Sequence, residues 1–366
     1  MNTLKKSLLF VACSLGLSCV SAETIWIAAE GGVYRSELNE KTGALSEPKL
    51  SCEFPSGSFL AIHPELDVMY ATYRTREQSG YMSLVPTGDG KGLEQQSLQL
   101  LAKKEGSPSH LMVSDNGKWL AGAHWGGKTN FVFQLEKDGS VSEKRRGLPQ
   151  EGSGPGNSQN QSRPHWICFA NDDSFIHSVD LGSDEIWTYS MNGSLDSIEL
   201  SHKVKFPLGT GPRHMAFHPS FEYAYVTGEL NLYVNSLHYD RATGRFSPIQ
   251  FIPTVESPEV RTTLSEIQVH PNGKFVYAGV RGSDLIAAYS IDQSTGELTM
   301  VEGQETQAHW PRNFTVSDSG NWLIVGGQNS NEIRVFSIDL ESGALELTDS
   351  RIELKNPVCI RAWGRL

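Results

Sequence analysis

One carboxylate, one imidazole and four guanidinium groups stand at matching points of a repeated pattern in this 366-residue chain: Glu229, His165, and Arg74, Arg213, Arg281 and Arg312. Glutamate and histidine are the side chains that most readily exchange a proton near neutrality. Arginine grips a carboxylate or phosphate through paired N–H donors, or stabilises a developing oxyanion. Brought together, these groups describe an acid–base site for an anionic ligand. The cationic ring is a local feature, because 31 basic against 42 acidic residues give the chain a formal charge of −11. That balance argues against general attraction to nucleic acid or to an anionic membrane. Each group also has an ordinary reading, the arginines as solvated or bridging residues and Glu229 as their salt-bridge partner.

A repeat must do the positioning. Six segments share two apolar stretches joined by a turn of the HPNGK kind: AIHPELDVMYAT from Ala61, LMVSDNGKWLAGA from Leu111, ICFANDDSFIHSV from Ile167, MAFHPSFEYAYVT from Met215, IQVHPNGKFVYAG from Ile267 and FTVSDSGNWLIVG from Phe314. His63, Ser114, Ala170, His218, His270 and Ser317 are equivalent, at spacings of 51, 56, 48, 52 and 47. That is the period of a four-stranded propeller blade. Downstream, FQLEKDGSV, YSMNGSL, LHYDRATGRF, YSIDQSTGEL and FSIDLESGAL alternate apolar and polar residues into Asp, Asn or Gly turns, as hairpin strands do. No useful length shows the 3.6-residue period of an amphipathic helix. IWIAAEGGVYRSELNEKTGALSEPKL supplies strands two to four of a further blade, and NPVCIRAW its first strand. The expected fold is all-β, a single seven-bladed propeller with one blade closed by N- and C-terminal strands.

Within a blade, strand one begins where strand two ends, so both points face one rim. The starts of strand one read Ser58, Ser109, His165, Arg213, Ser265, Arg312 and Val358; the ends of strand two read Arg74, Trp125, Leu181, Glu229, Arg281 and Gln328. The next column inward holds His110, Trp166, His214, Glu266 and Asn313. From these the expected catalytic set is His165, Glu229, Arg213 and Arg281. The expected substrate-binding set is Arg312, Asn313, Gln328, Glu266, His214, Trp166, Trp125 and Arg74. His110 and His214 have a second reading as shell histidines, and His63, His218 and His270 fall in turns on the opposite rim, in structural positions. The 56-residue interval contains a Gly- and Pro-rich stretch, 147–163. It is either a disordered insertion or a loop over the mouth that delivers Arg163, His165 and Trp166.

The first 22 residues follow another logic. Lys5 and Lys6 precede an apolar run from Leu8 to Leu17, and Val20, Ser21 and Ala22 are small enough for cleavage. This reads as a secretory signal peptide, 1–22, too short to span a bilayer, followed by one domain, 23–366. The mature part keeps Cys52, Cys168 and Cys359, which allow one disulfide at most and match no metal spacing.

Four stretches, PHWICFANDDSFIHSVDLGSDEIWTY, GTGPRHMAFHPSFEYAYVTGELNLYV, SEIQVHPNGKFVYAGVRGSDLIAAYSID and PRNFTVSDSGNWLIVGGQNSNEIRVFSID, resemble the seven-bladed propeller lactonase family. That family includes propeller-type 6-phosphogluconolactonases and fungal carboxymuconate cyclases. The resemblance covers nearly the whole mature chain. It implies an active site of His165 in the PH element, Arg213 in GPRH, Glu229 sixteen residues later and Arg281 in the RG element. Two departures are visible: His124 and Trp125 replace an Asn-Tyr pair, and Ile167 stands where a further histidine is common.

Lactone opening needs an activated water, a stabilised oxyanion and an acid for the leaving alkoxide. The implied roles are Glu229 as base, Arg213 or Arg281 at the oxyanion and His165 at the ring oxygen. The substrate is a small-molecule lactone, with no cofactor, no metal, no nucleic acid and no membrane span, and the protein a monomer. Export favours an acidic or unphosphorylated sugar lactone over a phosphorylated cytosolic one. Other readings are a cycloisomerase, a metal-dependent gluconolactonase, and a non-catalytic propeller that holds an anionic ligand or a protein partner.

Overall fold

The computed structural model describes residues 22–256, 258 and 261–363. They form seven four-stranded antiparallel sheets whose first strands follow one another in a closed cycle. Among the described residues the helical content is three single turns, Lys103–Glu105, Asn157–Gln159 and Leu195–Ser197. The closing blade takes its first strand, Cys359–Ala362, from the C-terminus and pairs it with Ala22–Ala29. The remaining first strands are Leu60–Ile62, Pro108–Val113, Pro164–Ala170, Pro212–Phe217, Thr263–Val269 and Pro311–Val316, which open blades two to seven. The expected architecture, including the shared blade, is the observed one. The proposed export segment lies outside the described residues, apart from Ala22, which opens its strand opposite Asn39.

Alternation of apolar residues buries both faces of the inner strands between neighbouring sheets. Outer strands such as Glu199–Lys205 and Leu298–Glu305 stay largely open to solvent. Blades are also tied by polar contacts that repeat. The HP turns send His63, His218 and His270 into the next blade, where Nε2 donates to the carbonyls of Gly117, Gly273 and Gly320 at 3.0, 2.8 and 2.8 Å. Nδ1 of each accepts a backbone N–H in its own turn. Gly320 sits at φ +75°, and a Cβ there would lie 2.6 Å from the His270 ring. The turn is therefore glycine for its left-handed backbone and for the histidine beside it. Tyr70, Tyr225 and Tyr277 hydroxyls repeat the device one strand on, donating to Gly139, Gly296 and Gly343.

The 147–163 stretch is a folded loop. Gln159, fully buried, donates to the Leu181 carbonyl at 2.9 Å and to Asp184 Oδ1 at 2.6 Å. Asp180 accepts from Ser162 Oγ and the Arg163 backbone N–H. This anchoring delivers His165 to the mouth; Arg163 stacks on Trp125, 4.0 Å from the ring centroid, while Trp166 packs into the blade interior.

Candidate functional site

The repeat positions its functional column through a recurrent break in the ladder. Pairing of strands one and two skips between Pro108 and His110, Pro164 and Trp166, Pro212 and Met215, Leu264 and Ile267, and Pro311 and Asn313. The skipped residues include Ser109, His165, Arg213, Ser265 and Arg312. A bulge frees a residue from the pleat and re-aims its side chain. Proline suits the opening position of four of these strands, because no ladder N–H is required there. Serine in the column does structural work: Ser265 Oγ reaches the Pro311 carbonyl at 2.7 Å, and Ser109 Oγ the His165 carbonyl at 3.2 Å. Histidine and arginine leave that bridging role and turn to the mouth.

The loops that lead into these strands are held by aspartates from the preceding blade. Asp184 accepts from the N–H groups of Gly209 and Gly211 at 2.8 and 2.7 Å, which fixes the approach to Arg213. Asp284 accepts from Trp310 N–H at 2.9 Å and fixes the approach to Arg312. Both belong to Gly-Ser-Asp steps at 182–184 and 282–284.

A cavity of about 510 Å³ opens on this rim, lined by His165, Glu229, Arg74, Arg213, Arg281, Arg312, Trp125, Ser58, Ser109 and the Gly106–Pro108 turn. Glu229 lies between two guanidiniums, with Oε2 2.9 Å from Arg213 Nε and Oε1 3.2 Å from Arg281 Nη2. These are ion pairs without hydrogen-bond alignment, and Arg213 Nη1 is buried without a partner. Arg281 also donates to the Leu264 carbonyl at 2.6 Å and lies against the Trp310 ring. Burial, followed by the charge of Arg281, lowers the Arg213 guanidinium to about 9, with Glu229 opposing the shift; the same two leading causes bring Arg312 to about 10. Both remain cations at neutral pH. Burial, then Arg213, His214, Arg312 and Arg281, holds the His165 imidazole well below its ordinary range, so it is neutral. Its Nδ1 is buried and unpartnered, while the ring borders the cavity.

Beneath the rim lies a second polar layer. Glu266 accepts from His214 Nδ1 at 3.0 Å, from the Ile267 N–H at 3.1 Å and from Asn313 Nδ2, and Arg361 Nη2 stands 3.6 Å away. His110 and His214 are both neutral, burial being the largest cause for each. Arg361 also stacks on Phe59, 4.3 Å from the centroid.

All four residues expected to be catalytic, together with Arg312, Arg74 and Trp125, meet at one cavity. Glu266, His214, Asn313 and Trp166, expected to touch substrate, do not line it; they are buried below, each one residue further along its strand than the residue of the rim column. Gln328 lines an adjoining cavity of about 520 Å³, which shares Ser58, Arg74, Pro108 and Arg312 with the first, and it donates to Asn356. His124 is fully buried, held by the Tyr81 hydroxyl and the Glu105 carbonyl, so only Trp125 of that pair shapes the mouth. Arg361 and Trp310 were not singled out from the sequence. Arg361 shares the face of Cys359 two residues further down the closing strand, a step that reading two columns stops short of. No group of three or more His, Cys, Asp or Glu that could hold a metal ion occurs among the described residues. Nor does any helix among them have the length and apolarity to cross a membrane.

Residues 19–362 match the family model for lactonase, 7-bladed beta-propeller. A 6-phosphogluconolactonase of Bacillus subtilis is 31% identical over 333 residues, covering 90% of this chain and 94% of that protein. Another, from Formosa agariphila, is 28% identical over 329 residues, covering 86% and 90%. In three dimensions the periplasmic gluconolactonase of Pseudomonas aeruginosa superposes with a TM-score of 0.86 at 21% identity, covering 94% of this chain and all of that one. A crystallised protein of Lactobacillus plantarum gives 0.87 at 23%, with the same coverage. The relatives support a lactone hydrolase, and with the family model spanning nearly the entire described fold, the chain belongs to the seven-bladed β-propeller lactonase family.

Proposed function

We propose that the protein hydrolyses an acidic sugar lactone at the arginine-rimmed mouth, with His165 handling the proton. The observation that carries this reading is a neutral imidazole bordering a cavity that also contains four arginines and one carboxylate. A base must be unprotonated to take a proton from water. His165 meets that condition, whereas both oxygens of Glu229 face guanidiniums. The division of labour therefore differs from the one read in the sequence. His165 removes a proton from the attacking water and, as imidazolium, returns it to the ring oxygen as the ester bond breaks. Glu229 holds Arg213 and Arg281 against the carbonyl, where they stabilise the oxyanion. Arg312 and Arg74 bind the anionic substituent of the substrate.

The 6-phosphogluconolactonase and periplasmic gluconolactonase names of the similar proteins bracket the substrate between phosphorylated and unphosphorylated gluconolactones. An N-terminal leader favours the latter or an acidic lactone met outside the cytoplasm. A pH-stat screen of the purified protein should use gluconolactone, its 6-phosphate, uronic-acid lactones and carboxymuconolactone, with cell fractionation alongside. Turnover of at least one acidic lactone above buffer is expected. Rates equal to buffer across the panel would leave a propeller that binds anions without catalysis.

A further inference from the structure

We infer that Glu266 and His214, below the cavity and outside it, act as positioning residues that set the tautomer of His165. Two neighbouring imidazoles each carry a buried nitrogen without a partner: Nδ1 of His165 and Nε2 of His214. Buried polar nitrogens are rarely left unpaired, and each of these is the complement of the other. The ring centroids are 5.1 Å apart at 58°, a separation at which a modest rotation of the His165 ring brings the two nitrogens into an N–H···N bond.

The direction of that bond follows from the other end. Glu266 is a carboxylate acceptor held by the Ile267 N–H, Asn313 and Arg361, so the His214 hydrogen must sit on Nδ1, pointing at Glu266 Oε1 across 3.0 Å. His214 is neutral, so its Nε2 is a bare acceptor. An acceptor there selects the Nδ1–H form of His165 and leaves His165 Nε2 as the lone pair available to water. His110 carries its hydrogen on Nε2, because its Nδ1 accepts the Ile167 N–H at 3.4 Å, and with its ring 5.6 Å from that of His214 it is the rival donor to His214 Nε2; the wild-type tautomer of His165 decides between the two. The array is a carboxylate, a relay imidazole and a base imidazole in series. When His165 takes a proton on Nε2, its Nδ1–H polarises His214, whose Nδ1–H polarises Glu266; no second proton moves. The kinetic consequence rests on the lactonase reading, whereas the tautomer does not.

The test combines imidazole nitrogen NMR with kinetics on full-length protein. In the wild type, His165 is expected as the Nδ1–H tautomer. In His214→Phe it should change to Nε2–H, with kcat reduced about 10- to 100-fold, the scale seen when an orienting partner is lost, and KM within about threefold. Glu266→Gln should give the same kinetic signature if His214→Phe does not fold, and His214→Gln, which restores an acceptor, should recover part of kcat. A wild-type His165 in the Nε2–H form would overturn the relay whatever the enzyme hydrolyses. So would unchanged kcat in both folded variants. Absence of lactone turnover with the Nδ1–H form intact would overturn the lactonase reading alone and support the relay.

Discussion

Replacing Glu229 by glutamine keeps the shape of the side chain and removes the only carboxylate in a cavity with four guanidiniums, so the local charge rises from three to four. The two ion pairs span 2.9 and 3.2 Å, with Arg213 and Arg281 side chains only 3% and 6% exposed and Glu229 19% exposed. Across 2.9 Å, an effective dielectric of about 20 gives a gross attraction of about 6 kcal/mol, most of which offsets the cost of taking the charges out of water. Losing one partner of a buried pair typically costs about 3–5 kcal/mol, and partial exposure of Glu229 brings the expected loss of stability to about 2–3 kcal/mol. The effect on chemistry is separate. With its counter-ion gone, Arg213 and Arg281 repel one another and leave the oxyanion position, where misplacement of about 1 Å or loss of a donor costs about 100-fold. The extra positive charge meanwhile favours an anionic substrate. Glu229→Gln is therefore expected to lower kcat by about 100-fold or more while KM for an acidic lactone stays level or falls. Initial-rate kinetics on protein shown to be folded by its melting transition is the assay. A kcat within fivefold of wild type, or a loss carried entirely by KM, would mean that Glu229 does not hold Arg213 and Arg281 at the oxyanion.

Arg312→Gln should raise KM for acidic lactones at least about tenfold and leave neutral gluconolactone little affected, since the residue borders both cavities of the mouth and faces no assigned reacting atom. Because His165 is held well below its ordinary range, kcat/KM should stay flat as pH falls through 6.5 and decline only at lower pH; a break at 6.5 in the pH–rate profile would exclude His165 as the base. The neutral buried histidines bind fewer protons than the unfolded chain below pH 6.5, so stability is lost as pH falls from there. His124, lowered to about 4 by burial, contributes about 3 kcal/mol to that loss by pH 4, visible as a falling melting temperature between pH 7 and 4. His270→Ala, on the opposite rim, should cost about 1–3 kcal/mol in denaturant unfolding through the orphaned Gly320 carbonyl and Asn272 N–H, with kcat unchanged.

Much of the fold was legible because a propeller writes its period into the chain. The equivalence of His63, His218 and His270 reflects one physical job, a ring that donates to the next blade's glycine carbonyl, and that job demands the same residue each time. Where the job passes to another group the pattern weakens: in the third and fourth blades Asp173 reaches back to the N–H groups of Asp115 and Asn116 in place of a histidine reaching forward. The N- and C-terminal halves of the closing blade were recoverable because each lacked what the other supplied. Depth was not legible. Period-two alternation tells which face a residue takes, but its place within the skip that opens five of the seven first strands decides whether it meets solvent in the mouth or its neighbours below. Glu266 and His214, read as a column inward of the rim that still touches substrate, lie beneath the cavity instead.

That same bulge explains why disagreement among the repeats was informative. A side chain freed from the ladder carries no pairing duty, so the fold asks of it only a small bridge to the next blade, which serine supplies at 109 and 265, and at 58 just ahead of a first strand without the skip. Histidine at 165 and arginine at 213 and 312 forgo that bridge and accept burial that lowers the affinity of each for its proton. Stability offers no reason to bury two arginines beside an imidazole that their charge helps to hold neutral. Their convergence on one cavity that holds a single carboxylate, in the column where the fold tolerates anything small and polar, is the arrangement expected when a ligand's negative charge completes the set. An acidic lactone or its ring-opened product should accordingly raise the melting temperature of the wild type more than that of Arg312→Gln, and equal shifts in thermal-shift titrations would remove the ligand from this account.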